Sequence, residues 1–555
     1  MSRRNSSLSE GLLTRLVSLL ISHGPSVRTI FYYNPAGTDC HLEEYLRPAT
    51  AADIPLFIWR SVHTVVQLNG LLDEGFLVLA CLPGVQREDL LRGLSNSLRY
   101  LRQAWLLIEL GGRTGQDDEQ LVTKVLQFCL RMDMINADVI LSNFEESRTV
   151  YGYEAYPEFA LRKQFFGPDL LIPSLYPDKV RNLNGYQLRT LPDLSEPNTL
   201  LYYDQQGRAQ ILGYVWNMLV EFARKHNAQL QLIGKPVQGK TLSHIQMLDL
   251  ANDGQVDVAA SVQPITMRFL DRYHEYAYPV HCASWCTMLP MERQLEVSEV
   301  FSWTVPAQPL ALLVLLWLVH EFLRGRWQRH RRLQAVGWLV LVTLLTANYQ
   351  GRVLSLLLAA PTDPPIDSFQ AMANSELHIF GVRSEYAAYD FDMRTRFASI
   401  FRLSNLASDL IQLRNSLNTT FAYTVTNTKW QLYAEQQAHS SRPLFRYSTD
   451  LCYYEMVPFA LVIPENSPHR PTLHHFMLQL AESGLFDHWV GRSFYYMVQA
   501  GRLHIRDLSE GRHIQPLSSA DLANVFLCCG VCLLISLWVF ACELLVHRAK
   551  SWLGF

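Results

Sequence analysis

The sequence lacks the signatures of common enzyme classes and of nucleic-acid-binding proteins. Its formal net charge is -3, and its longest basic run, 324–332, lies between two apolar stretches instead of forming a separate patch. It contains no nucleophile elbow, phosphate-binding loop or zinc-protease signature, because His274-Glu275 and His320-Glu321 both lack the second histidine that such a signature needs. We therefore expect neither catalysis nor a nucleic-acid partner.

Cysteine is also scarce, with ten in 555 residues, and four of these lie in the last apolar stretch. Such a scattered set excludes a dense disulfide framework. His281, Cys282 and Cys286 are close enough in sequence to suggest a metal site, but small residues buried on a strand are the commoner meaning of this pattern. We expect no metal and no cofactor.

A uniformly apolar leader is absent as well. Arg3 and Arg4 precede the weakly apolar run 11–22, and Arg15 interrupts that run where a secretory signal would be apolar. Residues 1–24 are therefore predicted to be a weak signal-like or disordered segment.

Long apolar runs are what the sequence does have, with 49% hydrophobic residues and a mean hydropathy of +0.02. Three stretches, 300–323, 333–360 and 520–546, each supply the ~20 apolar residues that span a bilayer at a rise of ~1.5 Å per residue. Runs of this length are too long for ordinary buried core helices. The sequence predicts three transmembrane α-helices.

The distribution of basic residues predicts the orientation of these helices. Arginines crowd the short loop 324–332, and further basic residues occur in the tail 547–555, so both should be cytoplasmic. The segments before about 299 and at 361–516 then lie outside a multi-pass plasma-membrane protein. Asn418 begins an Asn-Thr-Thr sequon in the outer segment and is a predicted glycosylation site.

Strand-like and helix-like stretches alternate in all the predicted extracellular parts. Residues 25–184 are predicted to form a small amino-terminal α/β domain. The segments 185–298 and 361–516 share one α/β pattern, and neither is long enough to bury a full core. We expect them to fold together into a two-lobed clamshell that binds a ligand between its lobes.

Four short segments carry a resemblance to a known family. They are Thr346-Ala347-Asn348 in the second apolar stretch and the segments 365–368, 459–468 and 482–485 after it. In order, these resemble the gate motif, the start of the second half-clamshell, a strand with its turn, and a helix end of the ionotropic glutamate receptors. The resemblance extends over residues 185–548 and includes the same order of half-clamshells and spans.

The resemblance implies candidate ligand-binding residues, most of which differ from the glutamate-binding branch. Thr266 keeps the place of the family's threonine, whereas Arg268 and Arg272 are only displaced candidates for its arginine. Asn198 stands where that branch has an aromatic residue, and Thr426 stands where it has the acid that pairs with the ligand amine. The chain therefore resembles the divergent chemosensory ionotropic receptors of insects more than synaptic receptors.

What this resemblance implies is a subunit of a ligand-gated cation channel that takes a small-molecule ligand, but not glutamate. It would assemble with co-receptor subunits as a heterotetramer. Thr346 and Ala347 would lie at the gate, and Asn348, Arg352 and Ser355 share one helix face that would line the pore. For Arg352 a second interpretation stays open, because an arginine near the end of a span can also extend to the membrane surface or pair with a neighbouring helix.

One part of the family plan is missing from the sequence. The loop 324–332 is too short for the re-entrant pore helix and selectivity loop that the family has between its first two spans. Either an exon is absent from the gene model, or this subunit contributes no filter. The alternative function is accordingly a non-conducting cell-surface receptor or accessory subunit.

Overall fold

The computed structural model of the chain describes residues 11–23, 27–43, 54–72, 75–83, 87–111, 118–167, 175–294, 315, 318–319, 331–358, 362–507, 509, 519 and 522–552. It is a mixed α/β protein with several sheets and two helices long enough to cross a membrane. Two compact units make up the chain. The first contains residues 1–288, 377–439 and 447–506, and the second contains 289–376, 440–446 and 507–555.

Residues 11–183, which we call the first region, contain a seven-stranded sheet in the order β2-β1-β3-β4-β5-β6-β7. The strands from β2 to β5 are parallel, whereas β6 and β7 are antiparallel additions. β3 and β5 are buried throughout, as expected for parallel strands covered on both faces. The strands are β1 (Thr29–Tyr33), β2 (Leu56–Trp59), β3 (Phe76–Leu82), β4 (Trp105–Leu110), β5 (Ala137–Leu141), β6 (Thr149–Glu154) and β7 (Ala160–Phe165).

The helices described in this region are Leu12–His23, Arg87–Ser97, Asp118–Arg131 and Phe144–Ser147. The first of them falls in the segment predicted to be signal-like or disordered. Its apolar face, which includes Leu16 and Val17, is buried in the core, and its first backbone N–H groups donate to the carboxylate of Glu145. This part of the segment is therefore a capped, packed helix of the first region.

The second region, residues 185–288, 377–439 and 447–506, contains two small sheets and one six-stranded sheet. β8 (Gln187–Thr190) pairs with β11 (Gln229–Leu232), and β9 (Leu200–Tyr203) pairs with β10 (Ala209–Leu212). The large sheet has the order β12-β17-β13-β16-β14-β15. Its strands are β12 (Val262–Pro264), β13 (Tyr276–Pro290), β14 (Ile379–Val382), β15 (Phe401–Ser404), β16 (Ala422–Thr426) and β17 (Phe445–Val462).

This six-stranded sheet combines strands from both sides of the long helix Arg331–Leu358. Val262 on β12 pairs with Leu461 on β17, and Cys286 on β13 pairs with Val425 on β16. The segments before and after the apolar stretches thus form one sheet together. β13 and β17 are the two longest strands of this sheet. They lie between β12 on one side and β16 on the other, and so connect the two sides.

Helices from both segments pack against this sheet. Tyr214–Lys225 and the helices near the end of the second segment bury their apolar sides in a common core with β12 and β17. The helices of the second region are Tyr214–Lys225, His244–Asn252, Arg383–Tyr386, Phe391–Arg396, Ala407–Asn415, Asn427–Ala438, Arg470–Ser483, Leu485–Gly491 and Ser493–Gln499, with 3-10 helices at Met267–Glu275 and Ala398–Ile400.

Polar and aromatic contacts join the first region to the turn after β17. Arg99 donates to both carboxylate oxygens of Glu465, at 3.1 to 3.2 Å from Nε and 2.7 Å from Nη2. The backbone N–H of Tyr100 donates to Asn466 Oδ1 at 2.7 Å, and its ring stacks on His274 with the centroids 3.7 Å apart. Burial lowers the pKa of His274 to about 4, which keeps this stacked ring neutral.

Among the described residues, two disulfides connect distant parts of the chain, one in each region. Cys40 is bonded to Cys81, and Cys286 on β13 is bonded to Cys452 on β17. Cys286 is buried on a strand, as the sequence predicts, and it also links strands from the two segments covalently.

The second unit contains the helices Arg331–Leu358, Phe369–Ala373 and Ala523–Trp552. Within the two long ones, Ala335–Leu356 and Cys529–Val546 are long and apolar enough to cross a membrane and have no buried share. They fall within the predicted spans 333–360 and 520–546. The predicted span 300–323 lies outside the described residues, apart from three helical positions, Leu315, Leu318 and Val319.

The two ends of this apolar part of the chain lie side by side. Gln294 and Thr362 form an antiparallel bridge, and the backbone N–H of Asp363 donates to the carbonyl of Arg293 at 3.0 Å. Arg446 donates to Glu292 at 2.7 Å and to the carbonyl of Ile366 at 2.9 Å. The chain thus leaves at 294 and returns at 362 next to its point of departure.

Candidate functional site

A buried carboxylate organises the loop that follows β8. Asp193 is fully buried, and one of its oxygens accepts from Thr199 Oγ1 at 2.7 Å and from the backbone N–H of Ser195 at 2.9 Å. The other accepts from Ser261 Oγ at 2.8 Å and from Gln263 Nε2 at 3.4 Å. Burial raises the pKa of Asp193, and these hydrogen bonds oppose the shift. The carboxylate fixes loop 193–199 to the chain just before and within β12.

Lys429 meets this loop from the helix Asn427–Ala438. Its Nζ donates to Ser195 Oγ at 2.9 Å, and the side chain is partly buried. Burial, and then repulsion from Arg414, lowers the pKa of Lys429 to about 8, against the attraction of nearby carboxylates. A lysine in the first turn also opposes the helix dipole. Its position is therefore electrostatically unfavourable unless acceptors surround it.

The neighbouring residue of the loop makes a second contact with the second segment. Glu196 accepts from Arg502 Nε at 2.7 Å through one oxygen and from Asn415 Nδ2 at 3.4 Å through the other. Asn415 is held in turn by the hydroxyl of Tyr433, which donates to its Oδ1 at 3.0 Å. Loop 193–199 thus touches both the helix Ala407–Asn415 and the helix Asn427–Ala438.

Further charges lie behind Lys429, around Thr424 on β16. Arg414 is buried, donates to the carbonyl of Thr424 at 2.9 Å, and lies 5.5 Å from the ring centre of Tyr433. Glu385 accepts from Thr424 Oγ1 at 3.3 Å. The site therefore contains acidic and basic groups in comparable numbers, and each is tied to a defined neighbour.

Aromatic side chains pack beside β13 and β17 in the same region. Tyr389 and Tyr453 stack with their centroids 4.4 Å apart, and Trp285 meets Tyr389 edge-on at 5.3 Å. The Tyr453 hydroxyl lies 3.0 Å from Thr287 Oγ1. These rings form an aromatic cluster beside the strands that the disulfide joins.

Asn198 lies in the same loop and has other partners. It is buried, and its Oδ1 accepts from the Tyr214 hydroxyl at 2.7 Å. Its backbone carbonyl accepts from Val215 at the start of the helix Tyr214–Lys225. A side chain at Gly213, which has a φ of 120°, would collide with that carbonyl. The predicted binding residue therefore serves to join the loop to a helix.

Thr266 and Arg268 lie where the chain leaves β12. Thr266 is buried and precedes the 3-10 helix Met267–Glu275, and its Oγ1 has no hydrogen-bond partner among the described residues. Arg268 is exposed, and its guanidinium lies 5.8 Å from the ring centre of Phe269. The positive charge of Arg268 also acts weakly on Tyr454, whose pKa burial raises to about 12.

Arg272 is engaged by two acids of its own chain. It donates to Glu275 at 2.7 and 2.8 Å and to Asp249 at 3.0 Å. Its hydrogen bond to Glu275 is the main reason that its pKa is raised. Arg272 therefore forms intramolecular ion pairs that stabilise the 3-10 helix Met267–Glu275.

Thr426 lies close to Lys429 but uses its hydroxyl as a helix cap. Its Oγ1 accepts from the backbone N–H of Lys429 at 3.3 Å, so it is the N-cap of the helix Asn427–Ala438. The structure thus brings the elements that carry Asn198 and Thr426 together through Ser195 and Lys429. The side chains of Asn198 and Thr426 themselves do not meet there.

Sequence reasoning missed the residues that make the contact. Asp193, Ser195 and Lys429 are unremarkable polar residues in the sequence. One available signal was the position of Lys429, three residues after a capping threonine, where a cation is unfavourable. The partnership with Ser195 crosses 234 positions, which no local pattern encodes.

The predicted gate residues lie on the exposed surface of the helix Arg331–Leu358. Thr346 donates its hydroxyl to the carbonyl of Val342 at 2.8 Å, and Ala347 follows it on the exposed surface. A single exposed face carries Asn348, Arg352 and Ser355. Within the described part of the chain, Arg352 has no ion-pair partner.

Asn418 lies in the turn after the helix Ala407–Asn415. It is partly exposed, and its Oδ1 accepts from the backbone N–H of Thr420 at 2.9 Å. The sequon is therefore in a surface turn, the usual setting for such an acceptor.

Two groups of described residues have the residue types of a metal site, and the geometry gives each another role. Cys40, Cys81 and Glu109 place their ligand-type atoms within 4.8 Å of one another, but the two sulfurs are joined as a disulfide and so offer no thiolate. His281 stacks between Phe459 and Phe486, and burial lowers its pKa to about 4.

No protein-family model matches the chain, and a search of the curated proteins found no match either.

Proposed function

We propose that this chain is a subunit of a ligand-gated cation channel of the chemosensory ionotropic receptor type. In this proposal the second region is a two-lobed clamshell, β13 and β17 connect its lobes, and a small molecule binds between them. Co-receptor subunits complete a heterotetramer in the plasma membrane. The segment resemblances described above support this family, and the α/β fold with its helices able to cross a membrane is consistent with it.

The observation that carries the proposal is the shared sheet. Residues 262–290 and 379–462 form one six-stranded sheet although a helix able to cross a membrane lies between them. The bridge between Gln294 and Thr362 also puts both ends of that insertion together. If residues 294 and 362 lie on the same side of a bilayer, the chain between them must cross it an even number of times. In this proposal the helix Arg331–Leu358 makes one of these crossings, and residues 300–323 make the other, as the sequence predicts.

The arrangement of charges supports a ligand other than glutamate. Arg272 is already paired with Glu275 and Asp249, and Thr426 has no charge to offer an amine. A hydrogen bond to a charged group contributes about 1.5–3 kcal/mol. Two missing ones would weaken glutamate binding by more than about 100-fold.

Epitope tags test the topology on which the channel proposal depends. Tags inserted at positions 365 and 515 should be labelled on intact cells, whereas a tag at 328 should be labelled only after permeabilisation. The matched control is the untagged chain at equal surface expression. The opposite labelling pattern would refute both the three-span topology and the external clamshell.

A second candidate function is a non-conducting receptor or accessory subunit, and the short loop 324–332 favours it. Arg352 distinguishes the two. If this residue faces a conduction pathway, its charge repels cations where screening is poor, and Arg352→Phe should increase the cation current of heteromers. An unchanged current at equal surface expression would favour the non-conducting subunit, with Arg352 at the membrane surface.

A further inference from the structure

Loop 193–199 is attached to the helices of the second segment by two side-chain contacts that involve no ligand. Lys429 donates to Ser195 at 2.9 Å, and Asn415 donates to Glu196 at 3.4 Å. In each pair the acceptor lies in the loop that Asp193 fixes to β12, and the donor lies on a helix that packs beside β14 to β16. The contacts therefore connect the β12 side of the proposed clamshell, its first lobe, with the β16 side, its second lobe, away from the strands β13 and β17.

The loop side of these contacts is held in place before any contact forms. Asp193 fixes the backbone of Ser195 and the hydroxyl of Thr199, while Ser261 anchors the other oxygen of the same carboxylate. Arg502 holds Glu196 from behind at 2.7 Å. Because the acceptors are already positioned, forming the contact costs little additional side-chain entropy.

The helix side is fixed as well. Thr426 caps the helix, which sets the direction in which Lys429 leaves it. Asn415 is held by the hydroxyl of Tyr433 and, through its backbone carbonyl, by Gln436 at 3.0 Å. Lys429 bears the desolvation and dipole costs described above, and Ser195 is the acceptor that offsets them. This makes the lysine contact the stronger of the two.

We propose that these contacts form a latch that holds the two lobes together in the absence of ligand, with Lys429 and Ser195 as its main pair. The latch regulates the proposed ligand site and rests on the proposed function for the identity of that site. Separation of the lobes requires the pair to break. A ligand that takes the place of Ser195 must then offer Lys429 an acceptor oxygen of its own.

Hydrogen exchange on the full-length chain in lipid nanodiscs, without ligand or partner subunits, tests the latch. Lys429→Met and Ser195→Ala should each accelerate amide exchange in peptides that cover 193–203 and 427–432. Loss of a hydrogen bond to a charged group predicts an acceleration of about 10-fold or more. Lys124→Met, which removes an exposed helix lysine from the first region, is the matched control and should leave these peptides unchanged.

The double variant shows whether the two residues act as one pair. Because both substitutions break the same contact, Lys429→Met combined with Ser195→Ala should exchange no faster than Lys429→Met alone. Wild-type exchange rates in Lys429→Met, or multiplied effects in the double variant, would overturn the latch. The measurement uses neither current nor topology, so failure of the latch and failure of the channel proposal are recorded separately.

Discussion

The first and second regions use similar elements but build their sheets differently. In the first region, each parallel strand from β3 to β5 pairs with the strand that follows it along the chain. In the second region, β12 and β13 find their partners β17 and β16 only after the apolar helix Arg331–Leu358. One sheet is thus local in sequence and the other is assembled across a long insertion.

The two sheets therefore differ in how much of the chain must be present before they can fold. A local sheet needs only its own segment, because closing short connections costs little entropy. A sheet assembled across an insertion needs both segments at once, since β12 and β13 without their partners expose open edges. The two regions should therefore respond differently when the chain is cut or when long-range links are removed.

The largest effect is expected when the chain is divided. Residues 1–183 expressed alone should give a cooperative thermal transition, whereas residues 185–294 alone should remain unfolded because β16 and β17 are missing. Joining 185–294 to 362–507 by a flexible linker should restore the transition. Circular dichroism and limited proteolysis measure the outcome, and a cooperative transition in isolated 185–294 would contradict the comparison.

The disulfides provide the next test. Replacing Cys286 and Cys452 by Ala should lower the free energy of unfolding more than replacing Cys40 and Cys81, because the cysteines are 166 and 41 positions apart. Each loss should cost roughly 2–5 kcal/mol, with the longer link about 1 kcal/mol larger by loop entropy. Chemical denaturation of both double variants measures this order, and the reverse order would show that loop length does not decide it.

A smaller effect is expected at the ion pair beneath the 3-10 helix. Arg272→Gln leaves Glu275 with little exposure, 8% of its side chain, and no charged partner at that site, which should cost roughly 2–4 kcal/mol. The matched control is Arg224→Gln, because Arg224 is 74% exposed and its pair with Glu221 is screened by solvent, so its loss should change the stability little. Equal losses in thermal denaturation would mean that the Arg272 pair has no structural importance.

The smallest effect concerns the pH dependence at Lys429. Burial lowers its pKa to about 8, with repulsion from Arg414 in the same direction and Glu385, Asp193 and Glu196 opposing. The folded chain then releases this proton at a lower pH than the unfolded chain does. The free energy of unfolding should therefore rise as the pH increases from about 8 towards the ordinary lysine value.

The Lys429→Met variant lacks the titrating ammonium group. Because the tyrosines titrate alike in both proteins, comparing the variant with the wild type removes their contribution to the pH dependence. Chemical denaturation of the two proteins at several pH values from about 7 to about 10 should show their difference in stability changing in favour of the wild type. A constant difference would show that the Lys429 ammonium is not perturbed in the folded chain.

Patterns within one segment were predictable from the sequence. The apolar runs predicted the helices that contain Ala335–Leu356 and Cys529–Val546, and the mixture of strand-like and helix-like stretches predicted the α/β character of both regions. Even the pairing of the two half-sheets followed from a physical argument, because neither half could bury its own core.

The contacts of individual side chains were not predictable in the same way. The roles of Arg272 and Asn198 depend on partners that only the folded chain brings near, Asp249 for one and Tyr214 for the other. A resemblance of short segments pointed to these residues, but such a resemblance does not determine whether a side chain is free or already bonded. Cys286 shows the same limit, since its partner is 166 positions away.

The pairing of Val262 with Leu461 has a consequence for biosynthesis. A ribosome adds about 5–20 residues per second, so the partner of β12 emerges roughly 10–40 seconds after β12 itself. During that interval the first region can already be complete, while the half-made second sheet keeps open edges and uncovered apolar side chains. Nascent chains should therefore depend on chaperones between the synthesis of the helix Arg331–Leu358 and the synthesis of β17.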